Sequence, residues 1–171
     1  MKNSTSGKPT SGRPCGNVAS LHLHPPAPGT PLTPVDAVET VAKEGIRGEP
    51  RYFGRKSSRT GEPNRRQVTL MEREQIAQHA IALGLEGIAP GVVRANIETK
   101  GVALGELLGR RVRVGEAILH FYEPRTPCAQ MDAIRPGLRA LMEGGRQGML
   151  AEGVKSGSIR VGDAITVVDS E

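Results

Sequence analysis

A mainly β domain, most economically a closed and mostly antiparallel barrel, is what this sequence predicts, on three observations. Short runs in which apolar and polar residues alternate recur along the chain, as in Ala19 to Leu23, Arg111 to Val114 and Ala117 to Tyr122, the period-two signature of half-buried strands. The 22 glycines and 13 prolines punctuate these runs too often to leave room for long helices. Many short strands create sheet edges, and closing the sheet removes them. At 171 residues the chain suits one domain with a core of its own. With two Phe, two Tyr and no Trp, that core must be built from Val, Ile, Leu, Ala and Met.

Taken in order, residues 1–15 are rich in Ser, Thr, Gly, Pro and Lys without apolar periodicity and are expected to form a disordered tail, with the domain spanning 16–169. Ala19, Leu21 and Leu23 alternate with Ser20, His22 and His24 in a first strand. His22 and His24 share a face there, but no third ligand stands at a recognisable spacing, so a polar strand face is favoured over a metal site. Pro25 to Pro34 is an extended connection and Asp36 to Ala42 a further strand. Gly54 to Asn64 holds no aliphatic residue and reads as a mobile loop, and Arg65 to Leu70 returns to strand-like order.

Thr69 to Glu72 has the form of a capping box, predicting a helix from Leu70 that ends at Gly84, with Ile76, Ala77, Ala80 and Ile81 on its apolar stripe and His79 exposed. Val92 to Thr99 reads as a strand that places Arg94 and Asn96 on one face, a pairing able to fix an anion or a polar ring. Leu104 to Leu108 is a helical turn. Arg113 to Ile118 and Arg160 to Ile165 share a Gly–acid turn phrase and are both expected to be hairpins. Met131 to Met142 has helical period with Pro136 at a first helical position, and strands return at Leu150 to Val154 and Ile159 to Val168.

Charge is concentrated. Between Arg47 and Arg66 stand seven cations (Arg47, Arg51, Arg55, Lys56, Arg59, Arg65, Arg66) against Glu49 and Glu62, so this segment equals the whole net charge of +5. Its partner is expected to be an anion. The dominance of arginine favours bidentate recognition of a compact phosphorylated or carboxylated molecule, and the scarcity of aromatics disfavours nucleic acid. No apolar run has bilayer length and no secretion h-region is present, so a cytoplasmic location without a membrane partner is expected. Cys15 and Cys128 make no disulfide framework.

The most distinctive stretch is Phe121-Tyr-Glu-Pro-Arg-Thr-Pro-Cys128. A strand stops at two prolines that bracket an arginine and end on a cysteine, which stiffens Glu123 and Thr126 as well as the prolines. A thiol is nucleophile, sulfur carrier or metal ligand only as thiolate, and a cation such as Arg125 favours that form. Residue types alone leave Cys128 open between such a role and a small buried hydrophobe.

Together these segments resemble the MOSC domain, the C-terminal domain of molybdenum cofactor sulfurases, in its small stand-alone bacterial form. The carriers are the Gly45 to Gly54 turn, Arg65 to Leu70, the Arg94-Ala95-Asn96 triplet, the Pro124 to Cys128 corner and Gly162-Asp163, within a likeness running from Asn17 to Asp169. The resemblance implies a pyruvate-kinase-type β-barrel with a few peripheral helices. It implies that Cys128 carries sulfur or ligates molybdenum, and that Arg94 and Asn96, with Arg65, Arg66, Arg51 and Arg125, hold the anionic pterin cofactor, molybdopterin. Where the family usually has Gly, Asp, Arg, this chain has Gly48, Glu49, Pro50, so the acid is one methylene longer and the arginine is displaced to Arg51. Sulfurases also carry a pyridoxal phosphate-dependent desulfurase domain that cannot fit here, so an external cysteine desulfurase or reductase is the expected partner. Molybdenum-dependent reduction of N-hydroxylated compounds and a nucleic-acid-binding barrel are the alternatives.

Overall fold

A computed structural model describes residues 11–27 and 31–168. In chain order the elements are β1 (Pro14–Leu23), β2 (Thr33–Val35), β3 (Ala37–Val41), β4 (Gly45–Ile46), β5 (Val68–Glu72), α1 (Arg73–Ala82) and β6 (Ile97–Lys100). A 3-10 turn (Leu104–Leu107) follows, then β7 (Arg111–Val114), β8 (Ala117–Pro124), α2 (Ala129–Ile134), α3 (Leu138–Met142), β9 (Met149–Lys155), β10 (Gly157–Arg160) and β11 (Ala164–Val168). Strands β11, β7, β8, β9, β5, β6 and β1 pair in that order, and β1 closes back onto β11. The result is the expected closed barrel. Only the β5–β6 pairing in it is parallel, and β3, β4 and β10 form a small second sheet.

The predicted alternation is what fills the barrel. Val112, Val114, Ala117, Leu119 and Phe121 point inward with Val18, Leu21, Leu70, Ile97, Ile165 and Val167, all buried. Strand β5 is buried on both faces, because its outer side carries a second apolar layer in which Met71 meets Ile76, Ala80, Val93, Met131, Leu138 and Met142. The helices therefore sit over one side of the barrel, next to the proline corner. No helix among the described residues is long and apolar enough to cross a membrane.

Several expectations change. Residues 1–10 and the boundary at Asp169 lie outside the described residues, but the strand begins at Pro14 and takes in Cys15, whose thiol donates to the Ile165 carbonyl at 3.4 Å. The Thr69 capping box does not form. Thr69 to Glu72 belongs to β5, where the Thr69 hydroxyl bonds to Asn96 and the Glu72 carboxylate accepts the Leu104 amide, so long-range partners outcompete local capping. Helix α1 starts at Arg73 and does end at Gly84, where the Gly84 and Leu85 amides reach Ile81 and Ala80 in a Schellman motif. Ile81 is 77% exposed, whereas His79 is buried with Nε2 2.8 Å from the Arg146 carbonyl. Helix α3 begins at Leu138 after a left-handed Gly137, leaving Pro136 outside it. Of the two Gly–acid turns only β7–β8 is a hairpin. Gly162-Asp163 is a corner at which the chain leaves the small sheet in β10 and enters the barrel in β11. The segment expected as a mobile loop is a hairpin, with Lys56 bridged to Pro63 and the Ser57 hydroxyl accepting the Arg59 and Thr60 amides.

Candidate functional site

The proline corner is set by a register change. Opposite β9, Phe121 pairs with Ala151 and Glu123 with Leu150, so Tyr122 is an extra residue that bends β8 just before Pro124. Pro124 and Pro127 then hold Arg125 turned inward, with its amide on the Gly148 carbonyl, and Cys128 outward and exposed at the start of α2. The reading of Cys128 as a core hydrophobe is thereby excluded.

Cys128 opens onto a small pocket of about 50 Å³ walled by His24, Arg51, Tyr52, Arg66, Arg94, Arg125 and Gln147, among others. A wider cleft of about 380 Å³ shares His24, Arg51, Arg94 and Gln130 with it and adds Arg55, Pro25, Pro26 and Pro50. No acid lines either cavity among the described residues. Tyr52 organises part of this wall: the Arg51 and Arg66 guanidinium carbons lie 5.7 and 5.4 Å from its ring centroid. Its ring also meets His24 edge-on at 5.5 Å.

Arg125 is the most unusual of these groups. It is 7% exposed, donates only long hydrogen bonds to the Gln147 and Val93 carbonyls at 3.3 and 3.5 Å, and its buried Nε has no partner. Burial lowers its pKa to about 10, Arg66 adds in the same direction, and the influence of Tyr52 and Cys128 opposes them. It is still charged at neutral pH. A buried cation with no carboxylate beside it is costly unless an anion completes it.

Behind the wall lies a second group of residues. Glu49 is fully buried and its Oε2 accepts from the His24 ring Nδ1 at 2.9 Å, the His24 amide at 3.1 Å and Asn96 Nδ2 at 2.8 Å. Its Oε1 accepts the Arg51 amide at 3.0 Å. Burial alone would raise the Glu49 pKa, but the hydrogen bonds from the His24 ring and amide and from the Arg51 amide bring it below the usual carboxylate value. Asn96 is held in turn by Thr69 and the His22 carbonyl, so it positions Glu49 and does not line the cavity.

The predicted residues thus divide. Cys128, Arg51, Arg66, Arg94 and Arg125 come together at one pocket. Arg94 and Asn96 do not share a strand face: Arg94 is a turn residue with φ +62°, three positions before β6, and Asn96 points into the interior. Arg65 lies elsewhere. It forms a two-pronged ion pair with Glu152 on the barrel exterior and stacks 4.2 Å over Tyr122, which leaves it no part in the pocket. His22 and His24 are not a polar face either. Both are buried, on the Ala95 carbonyl and on Glu49, and no cluster of three metal-ligating side chains exists among the described residues. Sequence reasoning missed Tyr52 and Gln147, weighed His24 only as a metal ligand or polar strand face, and marked Glu49 only as the longer acid of the Gly48-Glu49-Pro50 turn. Tyr52, one of two tyrosines and set within the basic segment, was the available signal.

The MOSC domain profile matches residues 48–166. The chain belongs to the MOSC domain family. Its fold is shared by the YuaD protein of Bacillus subtilis, at 23% identity over 91% of this chain and 97% of that one, with a TM-score of 0.76. YiiM from Geobacillus stearothermophilus superposes with a TM-score of 0.70 at 17% identity, over 90% of this chain and 75% of that one. YiiM from Escherichia coli does so at 0.64 and 18% identity, over 90% and 70%. A search of the curated proteins returned no match. In this MOSC domain the matched region holds all the pocket residues except His24.

Proposed function

We propose that the Cys128 pocket binds the molybdenum cofactor, an anionic pterin, and that Cys128 serves it as metal ligand or as sulfur carrier. The observation that carries this reading is Arg125, a buried, uncompensated cation beside an exposed thiol in a cavity walled by arginines and no acid. The residues suit such a group. The inner pocket is large enough for one end of a ligand only, and the adjoining cleft of about 380 Å³ accommodates a ring-sized body between Pro25, Pro26 and Pro50. The pocket offers one thiol, and no cluster of ligating side chains exists among the described residues, which fits a metal that arrives with its own chelating groups.

In this reading Arg125, Arg66, Arg51 and Arg94 neutralise the phosphate, and the guanidinium forks supply paired donors. Glu49, held by Asn96, orients His24 in the wall, and Tyr52 spaces Arg51 and Arg66. The proline corner fixes Cys128 at the pocket mouth, exposed to whatever the pocket holds. When bound, the cofactor would supply two-electron redox chemistry at its metal. Reduction of an N-hydroxylated compound with electrons from a partner protein, or sulfur transfer from an external cysteine desulfurase, are the activities such a site supports.

The test is elemental analysis for molybdenum in freshly purified protein and in Cys128→Ser, with mass spectrometry of Cys128 after incubation with a cysteine desulfurase and cysteine. Molybdenum in the wild type, or a persulfide at Cys128 seen as one added sulfur of about 32 Da, supports the reading when the Ser variant lacks it. Finding neither would sink it.

A further inference from the structure

The donors and acceptors of the inner pocket bear on which anion it takes. Arg51, Arg66, Arg94 and Arg125 offer donors only. Besides Arg125, the buried polar side chains of the wall are Gln147 and His24, and both offer acceptors. Gln147 is 3% exposed, and its buried Oε1 has no hydrogen-bond partner. His24 has its Nδ1 2.9 Å from Glu49 Oε2, on a carboxylate that can only accept, so Nδ1 carries the proton. Nε2 of the neutral ring is then an acceptor too, and it makes no hydrogen bond among the described residues. Turning the Gln147 amide round would set a further donor among four guanidinium groups, which their charge disfavours.

We infer that the pocket selects an oxyanion that carries a proton, such as hydrogen phosphate, over one that carries none, such as sulfate. The inference rests on the reading of this pocket as an anion site and adds its selectivity. At mildly alkaline pH both ions are tetrahedral dianions, so the arginine field attracts them alike. They differ in a single O–H. Hydrogen phosphate gives that proton to Gln147 Oε1 or His24 Nε2 while its other oxygens accept from the guanidinium groups. Sulfate sets lone pairs against both acceptors and leaves them unmet inside the protein, the asymmetry that makes a missing partner cost more than a bond gains. A phosphate monoester is accordingly taken as its monoanion, which keeps one proton.

Calorimetric titration of the full chain with potassium phosphate and with potassium sulfate, at about pH 8 and low chloride, tests this, with phosphate expected at least about tenfold tighter. The ratio should fall toward one in Gln147→Leu and in Glu49→Gln. Because Glu49→Gln also removes a buried carboxylate, ¹⁵N NMR of histidine-labelled wild type with phosphate bound is the second measurement, the His24 signals being those lost in His24→Gln. A protonated Nδ1 and a bare Nε2 are expected. Equal affinity for the two ions, tighter sulfate, or a proton on Nε2 alone overturns the selectivity while leaving the anion site standing. Binding of neither ion overturns the anion site itself.

Discussion

Replacing Glu49 by alanine removes the one group that gathers four donors: the His24 ring, the His24 and Arg51 amides and the Asn96 side chain, at 2.8 to 3.1 Å. Each buried donor left without a partner costs about 1–3 kcal/mol, and water admitted to the gap recovers part of that, so a net loss of about 3–5 kcal/mol is expected. Glu49→Gln keeps the shape but turns an NH₂ toward some of these donors, at about 1–3 kcal/mol. Urea unfolding at neutral pH reads both, provided the denaturant slope is unchanged. The acid limb gives a second handle. The folded Glu49 carboxyl lies below its usual 4.5, so the unfolded chain takes up this proton first as pH falls. The stabilisation is complete above that value and is lost as pH drops through the folded pKa. Wild type should therefore lose stability more steeply than Glu49→Gln below about pH 4.5. An alanine variant costing under about 1 kcal/mol, or identical acid limbs, would refute the account of Glu49.

Glu72 has the opposite sign: burial raises its pKa, the Leu104 amide opposes this, and Glu74 and Glu106 add to the rise. Its folded carboxyl keeps the proton to higher pH than the unfolded one, so stability is lost as pH rises through the folded pKa, and Glu72→Gln should melt about 2–4 °C above wild type at pH 7; a lower melting temperature contradicts this. Arg65→Gln should leave phosphate affinity within about twofold in calorimetry, since Arg65 is engaged with Glu152 at the exposed barrel wall, and a tenfold loss (about 1.4 kcal/mol) would return it to the site. Gly148→Ala should lose about 3 kcal/mol or more in thermal unfolding, because φ is +85° and a Cβ would overlap the Leu70 carbonyl beside the turn that carries Gln147; an unchanged melting temperature speaks against it.

The barrel was legible because it is written in period two. Val112, Val114, Leu119 and Phe121 are buried as alternation requires, and the glycine at 84 stops a helix as helix chemistry requires. The same rule failed at Arg94, where a left-handed turn interrupts what looks like one strand from Val92 to Thr99. A different rule, helix capping, failed at Thr69, whose capping pattern is real but whose hydroxyl finds Asn96, 27 positions away. The thiol and most arginines of the site could be named from local stiffness and charge. The pairing of Glu49 with His24 could not, because it is a bond between residues 25 positions apart, buried by strands that only the closed barrel brings together. Gln147 gave no local sign at all: its meaning lies in an oxygen with no partner.

The central claim is that Arg125 is kept in the interior to hold an anion, and Arg125→Met tests it most directly. Methionine fills similar space without a charge, and replacing a buried uncompensated ion by an apolar side chain is often stabilising by about 1–4 kcal/mol. Paired calorimetry and thermal unfolding of both proteins, without and then with phosphate, give the comparison. The account predicts an anion-free variant at least as stable as wild type, yet with phosphate affinity down by about tenfold or more. Unchanged affinity together with a clear loss of stability would make Arg125 a structural residue and contradict the account.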